Sequence, residues 1–230
     1  MNLLLRKNAY LAVLFFLITP IYAYATPAIT CHCFKDRSFD PAHPAMADPY
    51  FLATTQNSFF AIVFNTDKMS IVMKKQQGTS PDDLWIAYWL GFVSGRPAES
   101  LLKTKSKGDS WKDIVATLRL NPAIAGSKFI SSLNLNAPAV KLSEAVVDEI
   151  FMKYRLMNSA ELTALRQSGA SSQELIISTV IAARLKLPAL SIFSEVKKGG
   201  KTWGSFLQSA RIDTKNMQQE ISSILKLQPL

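Results

Sequence analysis

The 230-residue chain is poor in the residues that do most covalent and acid–base chemistry: it holds two cysteines, Cys31 and Cys33, and two histidines, His32 and His43. Two cysteines cannot build a disulfide framework, so stability must come mainly from packing. Both histidines fall in one proline-rich stretch near the N-terminus, and a Ser-His-Asp triad would have to borrow one from an irregular segment. No Walker loop, G-x-G-x-x-G or H-E-x-x-H occurs, which removes the motif-borne nucleotide and zinc-protease chemistries. CHCFK lacks the C-x-x-C-H spacing of a c-type haem site. Asp82, Asp83 and Glu174 stand where helices are expected to begin, and the helix dipole accounts for them without a glycosidase-type carboxylate pair. Asn-Gly and Asp-Gly are absent and β-like runs are scarce, so a hairpin-built fold is not expected. These absences point away from an enzyme.

Long apolar runs are also missing. Ala9 to Ile18 is an unbroken run of ten, half of the roughly 20 residues that a membrane span needs. Arg6 and Lys7 precede it, Thr19-Pro20 ends it, and Ala23-Tyr24-Ala25 follows. A charged start, a short apolar core and an A-x-A site form the pattern of a secretory signal. Residues 1–25 are therefore expected to be cleaved after Ala25, placing the protein in the periplasm or outside the cell. No cysteine sits at the cleavage point, so no lipid anchor is expected, and no integral span remains once the signal is removed.

What is present is positive charge and helical periodicity. Lysine and arginine number 26 against 17 acids, a net charge of +9. Such a balance suits an anionic cell-surface polymer, lipid head groups or nucleic acid, and export makes nucleic acid the least favoured. Residues 26–49, with four prolines and little periodicity, read as an irregular arm. From Tyr50 onward apolar residues recur every three or four positions. Phe59, Phe60, Val63 and Phe64 make one stripe, Leu84, Tyr88 and Phe92 a second, and Val146, Val147, Ile150, Phe151 and Tyr154 a third. This spacing predicts amphipathic helices. Ser80-Pro81-Asp82-Asp83 reads as a helix start, and Ser171 with Glu174 has capping-box spacing. Ser110 and Thr202 precede Trp111 and Trp203 as caps, and Pro97 and Pro188 mark further helix junctions.

The chain repeats itself. Shifted by 91 residues, Gly78-Thr79-Ser80 falls on Gly169-Ala170-Ser171, Phe60 on Phe151, Lys75-Gln76 on Arg166-Gln167, and Pro97-Ala98 on Pro188-Ala189. One inserted residue moves the offset to 92, and Lys105, Gly108, Trp111 and Arg119 fall on Lys197, Gly200, Trp203 and Arg211. The order predicts an all-α fold: two tandem copies of a unit of roughly 70 residues, 50–121 and 141–213, packed as a pseudo-twofold bundle behind the arm. Trp111 and Trp203 are expected as core anchors. Residues 122–140 are Ser/Asn-rich and expected to be mostly loop, and 214–230 a C-terminal helix or tail.

The pattern G-x-S/T-W, followed by an apolar stretch and Asn121 or Asp213, resembles a repeat of uncharacterised exported helical proteins of bacteria. That resemblance implies an all-α fold and carries no activity. SWKDIVATLRLNP also resembles the first half of a helix-turn-helix, but the AIAGSKF that follows is short and glycine-interrupted, so DNA reading is not expected.

Cys31-His32-Cys33, with His43 ten residues on, is the one cluster of soft ligands. Two thiolates and two imidazoles would satisfy Zn²⁺ or copper, although one residue between cysteines is tighter than usual zinc spacing. A Cys31–Cys33 disulfide is the competing reading, either strained and easily reduced or merely protecting the thiols in an oxidising compartment with His32 incidental, as is a thiol link between protomers. No other cofactor is implied. The leading expectation is an exported, non-enzymatic helical binding or scaffold protein whose partner is a protein or an anionic envelope surface. The alternative is a metal-binding or thiol-redox protein acting through Cys31, His32, Cys33 and His43.

Overall fold

A computed structural model describes residues 34–226, which form thirteen α-helices and one 3₁₀ turn without any strand. The all-α class follows the spacing. Residues 1–25, expected as a cleaved leader, and Cys31-His32-Cys33 lie outside the described residues, as do the last four residues.

Helix α1, Asp48–Val63, starts two residues before the expected Tyr50, because Pro49 is favourable in a first turn. It is buried on nearly every side and carries Phe51, Phe59, Phe60 and Val63 into the core. Helix α2, Lys68–Gln76, leads through Gly78 at φ +92° to α3, Pro81–Ser94. Helices α4, Ala98–Lys105, and α5, Trp111–Leu118, follow. After α6, Pro122–Ala125, and α7, Ser127–Asn134, come α8, Ala139–Lys153, and α9, Ser159–Gln167. Gly169, at φ +86°, leads into α10, Ser172–Leu185. Helices α11, Ala189–Lys197, and α12, Trp203–Ser209, precede the 3₁₀ turn Thr214–Asn216 and α13, Met217–Lys226.

The caps are the ones the sequence announces. Ser80 Oγ accepts from Asp83 N at 3.5 Å, and Ser110 Oγ from Asp113 N at 3.1 Å. Ser171 and Glu174 close a reciprocal capping box. Thr202 Oγ1 accepts from Ser205 N at 3.1 Å. Pro97 and Pro188 are the N-cap residues of α4 and α11. Trp111 and Trp203 are buried at the first positions of α5 and α12. The Trp111 indole donates to Asp83 Oδ1 at 2.7 Å, so that acid anchors a core side chain as well as complementing a dipole.

Packing is reciprocal between the halves of the chain. Helix α3 lies against α8, and α10 lies against α1. Helix α7 also covers α8, while α13 covers α1. One apolar core runs through the whole assembly, with Phe59 of α1 and Phe151 of α8 meeting at 5.7 Å between ring centres.

The stretch 122–140 is not mostly loop. Asn121 Oδ1 accepts from Ala123 N at 3.0 Å and starts α6. Gly126 then takes φ +93°, and Glu149 of α8 caps α7 by accepting from Lys128 N at 2.7 Å. Phe129 and Leu133, one turn apart, are buried against α8. The serines and asparagines occupy the outer face of α7, so composition masked a genuine helical stripe.

Phe92 also departs from expectation. It is 48% exposed, stacked on Trp89 at 5.9 Å beneath the Lys153 ammonium at 5.3 Å. Trp85 and Trp89 take the core positions of α3, and Trp89 Nε1 donates to Ala125 O at 3.0 Å. The described part of the arm, 34–47, has no regular helix but is docked. Phe34 meets Tyr50 edge-on at 5.8 Å, and Phe39 lies against Gly204.

Candidate functional site

Two elements that each bring one cation, Lys128 and Arg166, and a face of α8 with charges of both signs line a cleft of about 820 Å³. Helix α8 supplies Lys141, Glu144, Ala145 and Asp148, whose spacing puts them on one face. Helix α7 supplies Ser127, Lys128, Ser131 and Ser132. The last turn of α9 and the loop after it contribute Arg166 and Gly169-Ala170-Ser171.

Arg166 is the fixed point. Its Nε donates to Asp148 Oδ1 at 2.9 Å, Nη1 to Ala170 O at 3.0 Å, and Nη2 to Ser172 Oγ at 3.1 Å. The Asp148 side chain is 10% exposed and that of Arg166 15%. The other Asp148 oxygen accepts from Lys128 Nζ at 3.0 Å, and that lysine is 42% exposed. Lys141 pairs with Glu144 at 2.7 Å near the rim. The inner pair is thus held from below by a rigid fork and from above by a flexible ammonium. A planar guanidinium suits the first role and a point charge on a mobile stem the second.

A related arrangement recurs 91 residues earlier. Lys75 stands at the position of Arg166, Asn57 at that of Asp148, and Lys75 Nζ donates to Asn57 Oδ1 at 2.6 Å. Burial pushes the Lys75 ammonium down to about 8, against the neighbouring Asp82 carboxylate, which acts to raise it. A neutral amide oxygen is the acceptor here, where Arg166 has a carboxylate.

Among the described residues no histidine, cysteine or tyrosine lines the cleft. Ser171 Oγ is committed to the capping box with Glu174, and its role is explained by the helix start. The arrangement offers hydroxyls and paired charges of both signs, which is the equipment for holding a hydrophilic partner.

The residues singled out in the sequence lie elsewhere. Trp111, Trp203, Pro97 and Pro188 serve helix starts and the core. His43 is exposed on the arm, 3.1 Å from Asp40. Among the described residues no group of three histidine, cysteine or carboxylate side chains could hold a metal ion, and Cys31, His32 and Cys33 lie outside them. Among the described residues no single helix is long and apolar enough to cross a membrane. Helices α10 and α11 reach that length and apolarity only when taken together, and the pair is bent by 120°. The cleft residues Lys128, Asp148 and Arg166 were not singled out. Their signal was the Lys75–Arg166 correspondence, a buried cation kept in both halves.

Comparison with protein-family models, with curated proteins and with solved structures finds no match.

Proposed function

We propose that this chain is an exported, non-enzymatic helical binding protein, built from two copies of one unit arranged about a pseudo-twofold axis, with the Arg166–Asp148 cleft as its partner site. The partner class is a protein or an anionic envelope surface.

The duplication is supported by more than sequence spacing. Helices α3 and α10 have 14 residues each. Arg119 and Arg211 both take positive φ, at +48° and +54°. Asn121 and Asp213 both accept from the backbone N–H two residues on. The exchange of α1 and α8 between the halves is what a twofold relation would produce. Helices α6 and α7 then belong to the first copy, matched by the 3₁₀ turn and α13 in the second. Each unit therefore extends past 50–121 and 141–213.

The observation that carries the binding reading is the divergence of the two equivalent positions. Asp148 and Arg166 correspond to Asn57 and Lys75 at the offset of 91, and Lys128 corresponds to Glu220 at the offset of 92. A duplicated scaffold needs only one charged cleft if that cleft has a partner of its own.

The test is capture from envelope extract by the mature protein, beside a Lys128→Gln/Lys141→Gln variant. A partner retained by the wild type and lost by the variant supports the reading. Recovery of none across several salt concentrations counts against it. Stoichiometric zinc or copper that disappears in Cys31→Ser/Cys33→Ser would favour the metal or thiol alternative instead. Export is checked by fractionation and by N-terminal sequencing for a start after Ala25.

A further inference from the structure

The cleft neutralises its own cations, and most other buried or half-buried cations are also engaged. Lys74 pairs with Glu99, Arg184 with Glu220, and Lys68 donates to Thr54 Oγ1. Two places differ. The last turn of α4 and the loop after it carry Lys103, Lys105 and Lys107, and the end of α11 and the loop after it carry Lys197, Lys198 and Lys201. Among the described residues none of these six is in an ion pair. Lys105 Nζ donates to the Asp109 carbonyl and lies over the Trp111 ring, and Lys201 lies over Phe206. Five of the six are exposed.

A helix C-terminus favours cations, and this accounts for Lys103, Lys105 and Lys197, which end α4 and α11. It does not account for Lys107 and Lys201, which lie beyond those helices. The acids nearest in the chain are Asp109 in the first loop and Glu195 in α11, and Asp83 and Glu99 line the same cleft as Lys103 and Lys105 without pairing with them. Both halves thus retain a cluster of ammonium groups outside any ion pair at the same place in the repeat, although the surrounding residues differ.

We propose that these two lysine turns are contact sites for a linear anionic glycan, a chain of uronate, sulfate or phosphate groups. This deepens the anionic-surface part of the reading above and rests on it. The chemistry favours a hydrated polyanion over a lipid surface. Membrane-surface elements set lysines beside exposed large apolar residues. Here the adjacent Trp111 and Trp203 are buried, and the exposed apolar side chains, such as Met69, Phe92 and Leu135, lie outside both turns. It also favours a glycan over nucleic acid. No exposed aromatic platform for base stacking stands in either turn, and lysine reads charge as a point without the planar geometry of arginine.

Heparin oligosaccharide, a sulfated polyuronate, is the probe. Titration calorimetry would compare the wild type with Lys103→Gln/Lys105→Gln/Lys107→Gln, with Lys197→Gln/Lys198→Gln/Lys201→Gln, and with all six changes together. At about 50 mM salt each triple variant is expected to bind about tenfold more weakly, the sixfold variant weaker still, and all affinities to fall as salt screens the charge. A Lys215→Gln/Lys226→Gln control, which removes two exposed lysines outside both turns, is expected to bind heparin as the wild type does, and partner capture by the sixfold variant separates failure here from failure of the cleft reading. Unchanged binding by a folded sixfold variant, or no binding by the wild type, overturns the proposal. So does equal or tighter binding of the wild type to anionic vesicles or to single-stranded DNA of matched charge.

Discussion

Asp48, the first residue of α1, accepts a hydrogen bond from the backbone N–H of Gly204 at 2.9 Å, 156 residues along the chain. The other carboxylate oxygen accepts from Trp203 N at 3.2 Å. One acid near the start of the fold thus caps α12 near its end, complementing that helix's own Thr202 cap.

Asp48 gives the first prediction. Burial raises its carboxyl above the ordinary value of 3.8, outweighing the two backbone N–H groups. A raised folded value favours the protonated form on folding, so this stability is fully present below the unfolded value and is lost as pH rises through the folded one. Asp48→Asn is expected to flatten that part of the pH–stability curve while keeping an acceptor. Asp48→Ala is expected to cost about 1 kcal/mol by loss of the cap. Urea unfolding from pH 3 upward checks both.

Lys75 has the opposite sign. Its folded value lies near 8 against an ordinary 10.5, so the unfolded chain binds more protons between those values and stability rises with pH across that window. Lys68 is also lowered by burial and adds a slope of the same sign. Tyr88 and Tyr154 are raised from 10.0 and act above that value, where their contribution falls away. Between pH 8 and 10, Lys75→Gln is therefore expected to reduce the slope without abolishing it, as read by thermal melts.

The Arg166–Asp148 pair is predicted to be strongly coupled. Asp148→Ala leaves the Arg166 charge with little solvent and is expected to cost about 3–5 kcal/mol, whereas Arg166→Ala leaves Asp148 its bond from Lys128 and is expected to cost less. The double variant should cost much less than the sum, because both charges leave together. A double-mutant cycle in urea measures this, and additive losses would contradict the pairing.

Gly204 reports on the arm. A Cβ there would stand 2.7 Å from the Phe51 ring and 2.8 Å from the Phe39 ring. Gly204→Ala is expected to cost about 1–3 kcal/mol through overpacking and to release residues 34–47 to limited proteolysis faster than in the wild type. Unchanged stability and cleavage would mean that the arm is not held there.

Local signals in the sequence carried much of this. Ser80, Ser110, Ser171 and Thr202 were readable as caps because their partners lie three residues away. The Phe59–Phe60 and Val146–Phe151 stripes were readable because a helix repeats within a turn or two. The second stripe failed at Phe92, since α3 buries Trp85 and Trp89 on another side. Helix α7 was missed because Glu149, the acid that starts it, comes from α8.

The sequence by itself determined that the chain is helical, where most of those helices begin and that one pattern recurs along it, because those properties depend on neighbours within a few residues. Only the tertiary structure decided that α1 lies with α10 and α3 with α8, and that Arg166, Asp148 and Lys128 meet in one cleft. Those choices depend on which distant surfaces bury each other's apolar stripes. No spacing along the chain encodes that selection.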